Sequence, residues 1–161
     1  MDFRIETLPE RKVTGKCLKM SFTNDRTSEL WRSFIPKRSE IINKVSSDLI
    51  SMKIFGSSFD FENIRPDAVF EKWAAAEVPD FTNVPEGLET YIIPEGLYAV
   101  FSYRGNPAEG DAFFKQIFLE WLPSSPYAID DRPHFEILGE KYKNNDPSSE
   151  EEIFIPLKLR S

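Results

Sequence analysis

Arg132-Pro133-His134-Phe135-Glu136-Ile137-Leu138-Gly139 is the stretch on which the reading of this chain turns. Phe135 and Ile137 are apolar, Pro133 and Gly139 bound the run, and the pattern predicts a short strand. One carboxylate, Glu136, sits inside it. A lone acid in an apolar strand has two meanings. It lies on a solvated outer face, because half-exposed strands alternate. Or it faces an aromatic pocket, where it needs a cationic partner or takes up a proton.

Working outward, the segment from Tyr142 to Glu152 is polar and loop-like, and Ile153, Ile155, Leu157 and Leu159 then alternate as a final strand. Pro156 within that strand predicts an edge position or a bulge. Upstream, Phe113, Phe114, Ile117, Phe118, Trp121 and Leu122 form a stripe at helical spacing that ends at Pro123. Asn106-Pro107-Ala108-Glu109 is a helix start, with Asn as cap and Pro in the first turn. Before it, Leu88 to Tyr103 is strand-like and interrupted by Pro94-Glu95-Gly96.

The N-terminal part shows the same order. Phe3 to Thr7 predicts an edge strand, and Lys12 to Phe22 a strand whose apolar phase changes near Cys17, which suggests a bulge. Leu30, Trp31, Phe34 and Ile35 give one helix face, and Pro36 stops it. Leu49 to Phe55 and Val69 to Val78 predict two more strands, with loops at 57–67 and 79–87. The punctuation repeats as well. Leu8-Pro9-Glu10 matches Ile93-Pro94-Glu95 at an offset of 85, the helix ends before Pro36 and Pro123 match at 87, and Met52 to Gly56 matches Phe135 to Gly139 at 83. The expectation is therefore one α+β domain over 1–161 built from two strand-helix-strand-strand repeats, about 8–80 and 93–159. A pair of this kind leaves a groove along its seam, where ligands commonly sit.

Composition narrows the function. Hydrophobic residues make up 40% of the chain and 14 of its residues are Phe, enough for a substantial core. The net charge of −7 argues against direct nucleic-acid binding, which rests on a basic surface. With one Cys and one His, a metal site is not expected, and no glycine-rich phosphate loop is present, so no cofactor is expected. A single cysteine, with no apolar signal core or membrane span, predicts a cytoplasmic location.

The Leu/Ile-Pro-Glu strand start, the aromatic helix ending in Trp121-Leu122-Pro123, the Arg132-Pro133-His134-Phe135-Glu136 strand and the closing Glu152-Ile153-Phe154-Ile155-Pro156-Leu157 resemble the GyrI-like small-molecule-binding domain. This is the effector-binding domain of bacterial AraC-type and MerR-type transcription regulators. The resemblance covers about Phe3 to Lys158. It implies two βαββ repeats about a pseudo-twofold axis, an antiparallel sheet with helices on one side, and a central ligand groove holding Glu136. Leu138 departs from the family, which commonly has an aromatic two positions after the acid.

The first functional reading is a stand-alone binding module for a small lipophilic, cationic or aromatic molecule, with a role in transcription regulation or drug response. Glu136 is its counter-charge, and Trp73, Tyr103, Trp121 and Phe135 are its candidate walls. For each aromatic, ordinary core packing is the competing account. A second reading is a hydrolase of strained electrophiles, with Glu136 as base or nucleophile aided by Tyr103 or Tyr142. A third is an interaction protein acting on a partner such as DNA gyrase through acids such as Glu150-Glu151-Glu152.

Overall fold

Strand β1 (Phe3–Leu8) ends at Pro9-Glu10, and β2 (Arg11–Met20) begins at once. The computed structural model describes residues 1–161. Helix α1 (Thr27–Phe34) follows and continues as a 3-10 turn over Ile35–Glu40, where Pro36 no longer supplies an N–H. Then come β3 (Leu49–Ile54), β4 (Phe70–Val78), β5 (Glu89–Ile93) and β6 (Gly96–Arg104). The Asn106 side chain accepts the N–H of Ala108 and caps the start of the second helical segment. Its α-helical part, α2 (Asp111–Gln116), runs into a π-helical turn over Ile117–Trp121 and a last turn over Leu122–Ser124. Strands β7 (Tyr127–Ile129), β8 (His134–Leu138) and β9 (Glu150–Leu159) close the chain.

The main sheet has the order β1-β6-β9-β8-β3-β4-β2-β5, with β7 added beside β9, and every pairing is antiparallel. The order is a palindrome if β1, β6, β9 and β8 are exchanged for β5, β2, β4 and β3. The registers follow the same rule, since Leu8 pairs with Gly96 while Ile93 pairs with Arg11.

This topology forces curvature. β1 and β2 stand six positions apart in the sheet. At about 4.8 Å per strand, a flat sheet would separate them by roughly 29 Å. The Pro9-Glu10 link reaches only about 11 Å. The same holds for β5 and β6 across Pro94-Glu95. The sheet therefore curls until its edges approach, and its inner face becomes a core. Leu8, Val13, Met52, Trp73, Tyr98, Phe135 and Phe154 meet there. The Arg11 guanidinium reaches across it to the Phe135 ring, 5.3 Å away.

Both helical segments pack on the outer face. Leu30 and Phe34 of α1 cover Met20, Phe70, Ala74 and Ala76, and the alanines let the helix approach closely. Ile117 and Leu122 cover Ala99, Phe101, Ile153 and Ile155. The two segments are thus side by side on one face, with β3 and β8 between them.

Three sequence expectations change. β2 has no bulge, because its register with β4 is unbroken from Lys12–Val78 to Met20–Phe70. The change of apolar phase near Cys17 reflects burial of both faces instead, Val13 and Cys17 inward and Leu18 and Met20 under α1. Pro156 lies neither on an edge strand nor at a bulge, since β9 runs between β6 and β8. It sits where pairing to β8 has ended at Phe154 and pairing to β7 starts at Leu157. Its carbonyl accepts from Asp130, and the Asp130 carbonyl accepts from the Arg132 N–H, so the N–H that Pro156 lacks leaves no acceptor unserved. Strand β7 itself is short and follows a Pro-Ser-rich stretch, which hid it from the sequence reading.

Candidate functional site

The start of β8 is held firmly. Arg132 pairs with Asp130 at 2.7 Å and donates to the carbonyls of Leu97 and Leu157. Its guanidinium lies over Tyr98, 4.7 Å from the ring centre, and the Tyr98 hydroxyl donates to the carbonyl of Pro133. A side chain at Gly96 would overlap this guanidinium. From that anchor the strand alternation sends Phe135 and Ile137 into the inner core and His134 and Glu136 to the outer face, between the helices.

On that face is a cavity of about 520 Å³, within the usual range for small-molecule sites. Its floor includes Ser51 and Lys53 of β3, His134 and Glu136 of β8, and Ile153 and Ile155 of β9. Phe55, Phe59 and Phe61 form one wall, and Phe114, Phe118 and Leu119 the other. The two walls meet in an aromatic cluster. Phe61 stacks on His134 at 5.2 Å and on Phe118 at 5.7 Å, and Phe55 meets His134 edge-on at 4.8 Å. His134 is pushed down to about 3 by burial, then by Lys53 and Arg132. It is a neutral aromatic wall, not a base at ordinary pH.

Lys53 and Glu136 on the floor have charged neighbours on the strands either side. Lys53 faces Lys72 across the β3–β4 pairing. The Lys53 ammonium is 4.0 Å from the Glu136 carboxylate and 4.9 Å from the centre of the Phe114 ring. Glu136 sits opposite Ile153, so Glu151, two residues earlier on β9, shares its face. Burial and the Glu136 charge push Glu151 up to about 9, and its Oε2 is buried with no hydrogen-bond donor beside it. Burial and the neighbouring carboxylate thus favour the protonated form of Glu151. Burial and the neighbouring Lys53 bring Lys72 down to about 8. Tyr142 is raised by burial and by Glu151 and Glu136.

Of the residues singled out from the sequence, Glu136 and Phe135 border the cavity, but the Phe135 ring belongs to the inner core, stacked on Phe154 at 4.4 Å. Trp73 is buried in that same core, its indole N–H donating to Glu71. Trp121 packs against Phe3 and Phe101. The Tyr103 hydroxyl donates to the Asn106 carbonyl and its ring packs on Phe113. None of these three lines the cavity. Its walls are Phe55, phenylalanines of the 57–67 loop, and Phe114 and Phe118 of the helical stripe, from which the sequence reading had chosen only Trp121. Phe59 and Phe61 carried a signal, two large apolar side chains in a polar, turn-rich segment. No three His, Cys, Asp or Glu side chains converge as metal ligands, and no helix is long and apolar enough to cross a membrane.

A family model for the GyrI-like small molecule binding domain matches residues 1–158. The chain belongs to this family. A GyrI-like relative, the transcriptional regulator BrlR of Pseudomonas aeruginosa, is 27% identical over 158 residues, which are 98% of this chain and 56% of BrlR. The chain thus spans about half the length of that relative. Among solved structures, the EcmrR C-terminal domain shares the fold with a TM-score of 0.72 at 14% identity, covering 99% of this chain and 98% of that one. SAV2435 bound to tetraphenylphosphonium gives a TM-score of 0.69 at 12% identity, covering 98% and 94%.

Proposed function

We propose that this GyrI-like domain is an effector-binding module that holds a lipophilic aromatic ligand carrying a positive charge in the groove between its helical segments, and that it serves transcription regulation. The observation that carries this reading is the cavity of about 520 Å³ with five phenylalanine walls and a carboxylate, Glu136, on its floor. Ring faces attract cations by roughly 0.5–2 kcal/mol each. A charge-assisted contact to Glu136 adds about 1.5–3 kcal/mol. The regulator relative supports the regulatory role, and the cation-bound structure of a fold neighbour supports the ligand class.

Calorimetry with tetraphenylphosphonium and the neutral triphenylphosphine oxide tests it. Wild-type protein should bind the cation more tightly. Glu136→Gln should weaken the cation by about tenfold, the equivalent of about 1.4 kcal/mol, and change the neutral compound little. Equal affinity of both proteins for the cation would remove Glu136 from the site.

A further inference from the structure

The groove floor is not simply acidic. This face carries Glu151, Glu136, Lys53 and Lys72 on four neighbouring strands, β9, β8, β3 and β4, but only Glu136 and Lys53 line the cavity, and Lys72 donates to the Thr27 hydroxyl. His134 is neutral, so the floor presents one carboxylate against one ammonium group. The central pair is also incomplete. At 4.0 Å, Lys53 and Glu136 are beyond hydrogen-bond reach of one another, and each side chain is only about one-fifth exposed, 21% and 19%. Lys53 rests on the face of Phe114, the kind of position a ligand cation would take. A ligand that brings only positive charge meets this resident ammonium, with Lys72 behind it. At the mouth acids outnumber bases, because Asp111 and Glu62 accompany the single base Lys115.

We infer that the groove selects amphoteric aromatic ligands, which set a cationic group against Glu136 and an anionic group, a carboxylate or sulfonate, against Lys53. The inference rests on the binding reading above and narrows its ligand class. Such a ligand lies over the Lys53–Glu136 pair, sets one charge beside each and completes the hydrogen bonding of both. A desolvated, paired ammonium is costly to leave without its partner. A purely cationic ligand would leave Lys53 in that state, whereas an amphoteric one gives it an anion.

Rhodamine B, a zwitterion at neutral pH, and its ethyl ester, a cation with the same ring system, isolate the anionic group. Fluorescence anisotropy should show wild-type protein binding rhodamine B at least about fivefold more tightly than the ester, roughly 1 kcal/mol. Lys53→Met should abolish that preference, while Lys53→Arg, which keeps the charge, should retain it. Glu136→Gln should weaken both dyes. Circular dichroism confirms that each variant is folded, and Lys53→Arg carries the test if Lys53→Met is not. Equal or tighter binding of the ester by wild type overturns the amphoteric inference and leaves the groove reading intact. Loss of preference in Lys115→Met but not Lys53→Met moves the anion to the mouth and overturns the assignment to Lys53. Failure of both dyes to bind overturns both readings.

Discussion

Glu151 and His134 both resist ionisation, and they impose opposite pH dependences on stability. Glu151 is raised from an ordinary 4.5 to about 9. The folded state therefore holds its proton where the unfolded chain has lost it. Its contribution is complete below pH 4.5 and is lost as pH rises through about 9. His134 is lowered from 6.5 to about 3. Its contribution is complete above pH 6.5 and is lost as pH falls through about 3. Between 4.5 and 6.5 the two slopes oppose each other. Urea unfolding across pH should show that Glu151→Gln flattens the decline between 4.5 and 9, and that His134→Phe flattens the decline below 6.5. Each group contributes at most about 1.4 kcal/mol per pH unit within its window. A Glu151→Gln profile parallel to wild type would mean that Glu151 is solvated. Glu136 was legible as a lone acid in an apolar strand. Glu151 was not, because it stands in a run of three acids. Strand parity separates it from its neighbours, since Glu150 meets Arg104 and Lys141, Glu152 meets Arg4, and Glu151 turns with Ile153 to the face that the helical segments cover.

Among the elements, the 57–67 loop and the helical segment starting at Asp111 make the cavity walls, and Phe61 ties them together through Phe118 and His134. The loop holds its own shape through Asp60, whose side chain accepts the N–H of Glu62 and of Asn63. Phe61→Ala should remove a stacking partner from the ligand and from His134. Tetraphenylphosphonium affinity should fall about 2- to 10-fold, in line with roughly 0.5–1.5 kcal/mol per aromatic pair. The far-UV spectrum should be unchanged, because no sheet pairing involves the loop. Unchanged affinity would place the ligand away from this wall. Element types were legible wherever a period was long, as in the 113–122 stripe or the 153–159 alternation. What the stripe faced was not. A helical stripe covers a core at its centre, and its margins, here Phe114 and Phe118, line a groove only if the neighbouring helix is too far away to cover them.

At the scale of the molecule, the first strand of each half pairs with the other half, β1 with β6 and β5 with β2, while β3 and β8 join at the centre. The matched registers of Leu8–Gly96 and Arg11–Ile93 preserve the offset of 85 seen in the sequence. We expect residues 10–78 and 95–159 to superpose in a crystal structure. Different helix placements in the two halves would refute the duplication. The exchanged strands make a second expectation. Fragments 1–86 and 87–161 should each lack a cooperative thermal transition alone, because three strands in each have lost a partner. A sharp melt of either fragment by itself would show that the exchange is dispensable.

By itself the sequence determined the α+β class and the identity of one groove acid, because these depend on local periodicity and on punctuation by proline and glycine. It also marked the Arg132 to Gly139 strand as central, and Arg132 and Tyr98 anchor that strand in the fold. Only the tertiary structure decided which aromatics face the ligand. Side-chain parity says that two sets of residues point to opposite faces, and not which face is enclosed. Curling of the sheet made the inner face a core and took Trp73 and the Phe135 ring with it. The gap between the helical segments left the outer face open over Lys53 and Glu136. Those two residues are 83 positions apart in the chain and meet only because β3 and β8 pair at the centre of the sheet.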